Sequence, residues 1–355
     1  MPAQIRFALA LAFSSFAGGS VLADPVADFY AGKQIRFIVR SEPGTTYEQY
    51  SRLLAAHMSK YIPGKPSIVL VFMPGGGGII AANYVAKAAP QDGTILTIVG
   101  EGMANEQALG LSNSFQGDLR SFNWIANLSN SDQVLVTWHT SPTKTLADAM
   151  QRETLIGTTG AGSISVQIPA FLNNVLGTKF KIVFGYPSPN AVDLAMERGE
   201  VEGYGGGAWA RYQTVTPQFI SGKLINPIVQ IGLLKETTLP DTPFLHDLAK
   251  KPEDQPLIDF LSKSVSFARP LATTPGVPSD RVAALRKALE ETLADPDFLA
   301  DVAKERLEIH LMKGDALAQL VDDLVGAPLA VREKVKAAIE PADAEQVQSK
   351  KQPLP

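Results

Sequence analysis

The stretch VFMPGGGGIIAANYVAKAAPQDGT, residues 71–94, joins an apolar segment to a helical pattern through four consecutive glycines, Gly75 to Gly78. The apolar run before the glycines is typical of a buried strand, and the alternating TILTIVG (94–100) predicts another strand after the helix. Strand, loop, helix and strand in this order indicate a parallel sheet covered by helices. A glycine loop before a helix can hold a phosphate, a nucleotide or a carboxylate, or it can be a connector that binds nothing.

The same pattern recurs in both halves of the chain. KQIRFIVR (33–40) alternates as a strand, and a helix capped by Thr45 or Thr46 follows its loop. In the second half, strands at 155–158 and 181–184 are each followed by a short loop and a helix. In open α/β sheets such loops lie at the carboxyl edge, where ligands bind.

The segments between these units predict how the domains are connected. FNWIANLSNSDQVLVTWHTSP (122–142) is predicted to form a strand pair that leads into the second half, and a later strand returns to the first. We therefore predict an α/β protein with two domains. The predicted ranges are 29–127 plus 266–338 for the first domain, 128–265 for the second and 339–355 for a flexible tail.

The first residues have the features of a secretory signal. A short start with one basic residue, Arg6, leads into the apolar run FALALAFSSFAGGSVLA, which ends on small residues. This pattern predicts a signal peptide at 1–23, cleaved after Ala23, and a periplasmic mature protein. The chain has no cysteine, so an exported fold must be held by its core without disulfides.

Composition and motifs argue against several classes of function. The net charge of −4, without a basic cluster, argues against a nucleic-acid surface. A phosphate loop needs Lys and Ser or Thr after its last glycine, but Ile79 and Ile80 follow Gly78. Ser163 lacks the flanking glycines of a hydrolase nucleophile. The four histidines are far apart in sequence, so we predict neither a metal site nor a cofactor.

Backbone chemistry remains as the means of binding. The first N–H groups of a helix lack partners and attract anions, and a preceding glycine lets a ligand approach them. Three junctions of this kind, after Pro43, Gly75 and Gly160, would face one another across a cleft between the domains. Each glycine taken alone is equally compatible with a tight turn that binds nothing.

Four segments, in the same order, resemble the tripartite tricarboxylate transporter solute receptors, also called Bug receptors. MPGGGGIIAANYVAKAAPQDGTIL (73–96) is similar to the family's N-x-P-G-A-G-G-x-x-G/A-A-x-x-V-A-x-A-x-P-D-G-Y-T-L. The other three segments begin with GTTGAGSISVQIPAF (157–171), VFGYPSPNAVDLAMERGEVEG (183–203) and GKLINPIVQIGLL (222–234). The resemblance covers about 29–320.

The resemblance implies a type II-like periplasmic-binding-protein fold, or Venus flytrap, with two crossover strands. Such a receptor is a monomer without enzymatic activity that closes on a small organic carboxylate and delivers it to a membrane permease. A periplasmic hydrolase or transferase, or a sensor feeding a two-component system, is the alternative. Carried over by position, the ligand-binding residues are Ser41, Gly44, Thr45, Thr46, Tyr47, Pro74, Gly75, Gly76, Gly77, Gly78, Gly160, Ala161, Gly162, Ser163, Ser165, Tyr186, Ser188 and Tyr204.

Two departures from the family pattern bear on the ligand. The first loop keeps one of the family's two glycines, Gly44, and has Glu48 where relatives carry Asp. Gly205 to Gly207 stand where relatives often have bulkier residues, which predicts a larger pocket. The ligand can therefore be an aliphatic or an aromatic carboxylate.

Overall fold

The computed structural model describes residues 24–111, 114–129, 132–159, 163–342 and 344–346. The predicted signal peptide, 1–23, lies outside these residues. Within the described part of the chain, no helix is both long enough and apolar enough to cross a membrane.

Two six-stranded sheets form the framework of the molecule. Their strands are β1 (Gln34–Val39), β2 (Ser67–Phe72), β3 (Ile95–Ile98), β4 (Asn123–Asn127), β5 (Gln133–Trp138), β6 (Thr154–Thr158), β7 (Phe180–Phe184), β8 (Gly203–Ala208), β9 (Ile225–Ile231), β10 (Pro270–Thr273), β11 (Met312–Lys313) and β12 (Ala344–Gln346).

Helices connect and cover these strands. They are α1 (Pro25–Tyr30), α2 (Thr46–Met58), α3 (Ile79–Lys87), α4 (Met103–Leu109), α5 (Leu146–Gln151), α6 (Ile164–Phe171), α7 (Pro189–Glu197), α8 (Trp209–Thr214), α9 (Pro217–Ser221), α10 (Gln255–Ser266), α11 (Ser279–Leu293), α12 (Pro296–Lys304), α13 (Gly314–Val325) and α14 (Leu329–Ala338). Short 3-10 turns lie at Ser59–Tyr61, Gly76–Gly78, Leu119–Ser121 and Leu245–Leu248, and Leu172–Leu176 extends α6 as a π-helical turn.

The first sheet runs β11-β4-β10-β3-β1-β2, and the second runs β12-β7-β6-β8-β5-β9. Five strands share one order when the first sheet is read backwards, since β2-β1-β3-β10-β4 corresponds to β7-β6-β8-β5-β9. Three neighbouring strands are parallel in the first sheet, β3, β1 and β2, and four are parallel in the second, β12, β7, β6 and β8. One strand that arrives from the other sheet, β10 or β5, is antiparallel to them. The prediction of an α/β fold with two crossover strands is confirmed, but the sheets are mixed rather than parallel because each crossover strand enters in the opposite direction.

The predicted strand pair at 122–142 is wrong in its pairing. β4 bonds to β10 and β11 in the first sheet, whereas β5 bonds to β8 and β9 in the second. The chain crosses between the sheets after β4, so two adjacent strand patterns belong to different sheets. It returns between α10 and β10.

The C-terminal segment also joins the second sheet. β12 pairs in parallel with β7, with Ala344 opposite Ile182. The segment expected to be a flexible tail, 339–355, therefore contains an edge strand, and the residues from 347 onward lie outside the described part.

A buried amide ties the two crossovers together. The fully buried Asn127 donates from Nδ2 to the carbonyls of Ser129, at 2.9 Å, and Ser266, at 2.8 Å. Its Oδ1 accepts from the backbone N–H of Arg269 at 2.8 Å, and the N–H of Leu128 donates to the Arg269 carbonyl at 3.1 Å. The two segments that link the sheets are thus fixed to each other beside the place where both sheets end.

Helix α6 packs closely on β8. This packing fixes the part of the second sheet that lies at the place where both sheets end. A Cβ built on Gly205 would overlap the backbone carbonyl of Ser165 near the start of α6, and one on Gly206 would lie 2.7 Å from Cδ1 of Ile168. The glycine run was expected to enlarge the pocket. Instead it lets the helix approach the strand, because the space that side chains would occupy is already filled.

Gly205→Ala is therefore expected to lower the free energy of unfolding by about 2–3 kcal/mol, because the added methyl group must push backbone away from backbone. Urea unfolding followed by circular dichroism measures this change. Gly102→Ala is the control, since its φ is −77° and a Cβ there meets nothing within 4 Å. It should cost about 1 kcal/mol or less, and equal losses in both variants would contradict the packing argument.

An acidic residue lies at the first crossover. Asp132 is half-buried just before β5, and its carboxylate packs against Gly232 just beyond β9. Burial, followed by the charge of Glu236, raises the pKa of Asp132 to about 6, whereas His310 acts in the opposite direction. Because this pKa exceeds the ordinary value of 3.8, folding favours the protonated carboxyl group.

This shift predicts a pH dependence with a definite sign. Between about pH 4 and 6 Asp132 holds more protons in the folded state than in the unfolded state, so its contribution to the free energy of unfolding falls as the pH rises. Asp132→Asn should remove this contribution and raise stability at pH 7.5 by on the order of 1–2 kcal/mol. Urea unfolding of both proteins at several pH values tests it, and a variant that is no more stable than wild type at pH 7.5 would refute it.

Candidate ligand-binding cleft

A cleft with a volume of about 1040 Å³ opens where the two sheets end. On the first side it is lined by residues of the segments that follow β1, β2 and β3. On the second side it is lined by residues that follow β6 and by the end of β8. The carboxyl ends of parallel strands from both sheets therefore face one space, which is the usual position of a ligand site in α/β proteins.

The first loop uses its hydroxyl groups locally. Thr45 is the N-cap of α2 and accepts from the N–H of Glu48, and its Oγ1 lies 2.6 Å from Oγ of Ser41. Thr46 lines the cleft, whereas Gly44, with φ of +83°, is exposed outside the lining. Thr46 is thus the predicted residue of this loop that the structure brings into the cleft.

The glycine loop, Gly75 to Gly78, adopts positive φ at all four positions, between 56° and 124°. Gly76 and Gly77 line the cleft, whereas Pro74, Gly75 and Gly78 do not. The N–H of Gly78 bonds to the Gly75 carbonyl at 3.0 Å. Among the described residues, the N–H groups of Gly76 and Gly77 have no acceptor, so two exposed backbone donors are available at the cleft.

Two arginines near this loop stack on the ring of a buried tyrosine, Tyr47. The guanidinium carbon of Arg40 lies 4.0 Å from the ring centroid of Tyr47, and that of Arg269 lies 4.5 Å from it. Arg269 forms a salt bridge with Glu101 at 2.9 Å, and the Tyr47 hydroxyl accepts from the N–H of Glu101. Burial first, and then the Glu101 charge, raises the pKa of Tyr47. Tyr47 does not line the cleft itself, but it supports two arginines that do.

The loop after β6 contributes hydroxyl groups. Oγ of Ser165 lies 2.8 Å from Oγ of Ser163 and accepts from the N–H of Thr159 at 3.2 Å. Burial raises the pKa of Tyr204 to about 12, although the nearby Ser165 side chain acts in the opposite direction. Ser163, Ser165 and Tyr204 all line the cleft. The predicted residues Gly160, Ala161 and Gly162 lie outside the described part of the chain.

Two other predicted residues have roles away from the cleft. Ser188 is the N-cap of α7 and accepts from the N–H of Ala191 at 3.3 Å. Tyr186 packs against the apolar cluster around Val192 and Met196. Neither is part of the lining.

The arginines of the cleft were missed by the sequence analysis. Besides Arg40 and Arg269, the cleft is lined by the exposed Arg306 and by Arg211. Arg211 pairs with the buried Asp193 and donates to Asn190 at 2.7 Å. Burial raises the pKa of Asp193 although the Arg211 charge lowers it. The only signal in the sequence was position, since Arg40 directly follows an apolar strand at the predicted carboxyl edge.

Metal binding has no structural support in the described ranges. These residues contain no group of three or more His, Cys, Asp or Glu side chains arranged to hold a metal ion. Four glutamates line the cleft, Glu101, Glu106, Glu305 and Glu308. It also offers backbone N–H groups, guanidinium groups and hydroxyl groups, which suit an oxygen-rich organic anion.

Comparisons with known proteins agree with this geometry. In three dimensions the chain is similar to a solute-binding protein from Polaromonas, with a TM-score of 0.67 and 18% identity over 86% of this chain and 99% of that one. It is also similar to malate-bound MatC from Rhodopseudomonas palustris, with a TM-score of 0.55 and 21% identity over 85% and 98%. An R. palustris protein solved with adipate gives a TM-score of 0.57 and 18% identity over 86% and 97%.

These similarities show the fold and confirm the predicted two-domain, type II-like periplasmic-binding-protein architecture. No curated protein matches the chain in sequence. A family model described as the tripartite tricarboxylate transporter family receptor matches residues 51–335, which extend from α2 into α14. Since this match spans most of the chain, the protein belongs to the tripartite tricarboxylate transporter receptors, as the sequence resemblance predicted.

Proposed function

We propose that this protein is an extracytoplasmic receptor that binds a small organic carboxylate and delivers it to the permease of a tripartite transporter. The observation that carries the proposal is the pair of free N–H groups on Gly76 and Gly77, which open into a cleft between two sheets. Membership of the receptor family supports it. The malate and adipate bound by two similar structures indicate carboxylates as the ligand class.

Binding is proposed to occur by closure of two domains, 29–127 plus 266–338 and 128–265. The ligand carboxylate would first meet the glycine loop, and the hydroxyl groups of Ser163, Ser165 and Tyr204 would then close on the remainder of the ligand. Closure removes water, which strengthens each charge-assisted hydrogen bond. Such bonds contribute about 1.5–3 kcal/mol each, so a few of them together with apolar contact reach the roughly 8 kcal/mol of micromolar binding.

The receptor is proposed to act as a periplasmic monomer without enzymatic activity. The described neighbours of the Ser165 hydroxyl are the side chains of Thr159, Ser163 and Tyr204, none of which is a base suited to activate a nucleophile. A bound acid recovered unchanged, as followed by NMR, would agree with this assignment, whereas turnover would favour the hydrolase or transferase alternative. A neighbouring permease gene, rather than a sensor kinase gene, would distinguish transport from signalling.

A thermal-shift screen of the mature chain tests the ligand class. Mono-, di- and tricarboxylates, both aliphatic and aromatic, are compared with uncharged solutes of similar size. A cognate acid at a hundredfold excess over its dissociation constant should stabilise the native state by about 2.7 kcal/mol. If uncharged solutes raise the melting temperature and no carboxylate does, the proposed function is wrong.

A matched pair of glycine variants tests the glycine loop. Gly77 in the cleft and Gly177 at the end of α6 have φ of +65° and +75°, and a Cβ at either meets nothing within 4 Å. Alanine at either position should lower the free energy of unfolding by about 1–2 kcal/mol, because the backbone there is left-handed. Only Gly77→Ala places a methyl group in the cleft, so it alone should weaken carboxylate binding, roughly tenfold. Calorimetric titration measures this, and equal affinities in the two variants would favour the connector interpretation.

A further inference from the structure

Arg40 has an unusual position for a charged residue. It directly follows β1, its guanidinium group stacks on Tyr47, and its Nη2 donates to the carbonyl of Gly77 at 2.9 Å. Its Nε is buried without a hydrogen-bond partner, and a Cβ on Gly78 would come within 2.6 Å of that atom. The side chain therefore passes beneath the glycine loop and is held in one orientation by the ring and the loop.

Two of the other three arginines that line the cleft are paired with carboxylates, Arg269 with Glu101 and Arg211 with Asp193. The third, Arg306, is exposed to solvent. Within the described ranges, no carboxylate lies within 4.0 Å of a nitrogen of Arg40. The cluster of Arg40, Arg269 and Glu101 on and around Tyr47 thus carries one uncompensated positive charge.

An uncompensated charge in a half-buried position is costly because water solvates it incompletely. Nη1 of Arg40 has no acceptor among the described residues, and the N–H groups of Gly76 and Gly77 lie on the loop that Nη2 bonds. The bond from Nη2 to the Gly77 carbonyl therefore holds the free Nη1 donor of Arg40 close to the loop that carries the free backbone N–H groups.

We propose that Arg40 binds the ligand directly, through a salt bridge from its guanidinium group to one ligand carboxylate that also accepts from the glycine loop. This inference rests on the proposed function and names the residue that selects an anionic group. One carboxylate would balance the charge of the Arg40, Arg269 and Glu101 cluster. A neutral analogue would leave the guanidinium group unpaired inside the closed cleft and would be rejected for that reason.

The test compares Arg40→Gln, Arg40→Lys and Arg36→Gln in the mature chain. Arg36 is the matched control because it lies in β1, the strand that Arg40 follows, is also half-buried and does not line the cleft. Dissociation constants for adipate and for malate are measured by calorimetric titration. Circular dichroism melts of each variant show whether it is folded.

Arg40→Gln should weaken the binding of whichever acid binds wild type by roughly 10- to 150-fold, the equivalent of about 1.5–3 kcal/mol. Arg40→Lys keeps the charge and should recover part of this loss, because an ammonium group replaces the planar guanidinium group. Arg36→Gln should change affinity less than about twofold. A crystal structure of the wild-type complex should place a carboxylate oxygen about 3 Å from Nη1.

The possible failures are distinguishable. If wild type binds neither acid nor any other carboxylate of the thermal-shift panel, the proposed function fails and the inference fails with it. If wild type binds an acid and Arg40→Gln binds it equally well, the function stands and the inference is wrong. Equal losses in Arg40→Gln and Arg36→Gln, or a carboxylate more than about 4 Å from Arg40 in the complex, would also overturn it. If Arg40→Gln is not folded, the partial loss in Arg40→Lys decides.

Discussion

The side chain of Asn127 holds the two crossovers together, and the cleft depends on it. Its amide bonds three backbone groups, those of Ser129, Ser266 and Arg269, all at or beside the points where the chain changes sheets. A fully buried amide must satisfy its donors and acceptor within the protein, so this geometry is strongly specified. It fixes the start of β10 and therefore places the Arg269 side chain beside Tyr47. One buried amide thus joins the two crossover segments and helps to position a cationic side chain of the cleft.

The two walls of the cleft differ in chemistry. The wall that belongs to the first sheet has glutamates, guanidinium groups and free N–H groups, and its Arg40 has no carboxylate partner among the described residues. The described wall of the second sheet has hydroxyl groups and an arginine already neutralised by Asp193. An anion would therefore engage the first wall in the open state, and closure would complete its surroundings. Electrostatic interactions grow stronger as water leaves the cleft. The free energy by which the ligand favours the closed state over the open state should therefore increase with the charge of the ligand.

The order of strands and helices could be predicted because it depends on local pattern. Alternation identified β1, and the Thr45 cap of α2 followed from residue type and position. Pairing could not be predicted in the same way, since β4 and β5 are adjacent in sequence but bond to different sheets. The contacts around Tyr47 were missed because they join Arg40 and Arg269, which are brought together only by the return crossover. The edge strand β12 was missed because its short polar sequence has no alternating apolar pattern.

The four glycines that first suggested a binding loop have different physical roles. A Cβ on Gly75 would lie 2.6 Å from Cδ1 of Ile80, and one on Gly78 would lie equally close to Nε of Arg40. These two positions are restricted by the protein itself, whereas a Cβ on Gly77 meets nothing. Gly78 is therefore required by the arginine beneath the loop, and Gly77 is free to face a ligand. The four glycines look alike in the sequence, but Gly78 leaves space for the Arg40 side chain, whereas Gly76 and Gly77 present backbone N–H donors. In the proposed complex both features would serve the same carboxylate, because the Gly77 carbonyl holds the guanidinium group beside the free N–H groups.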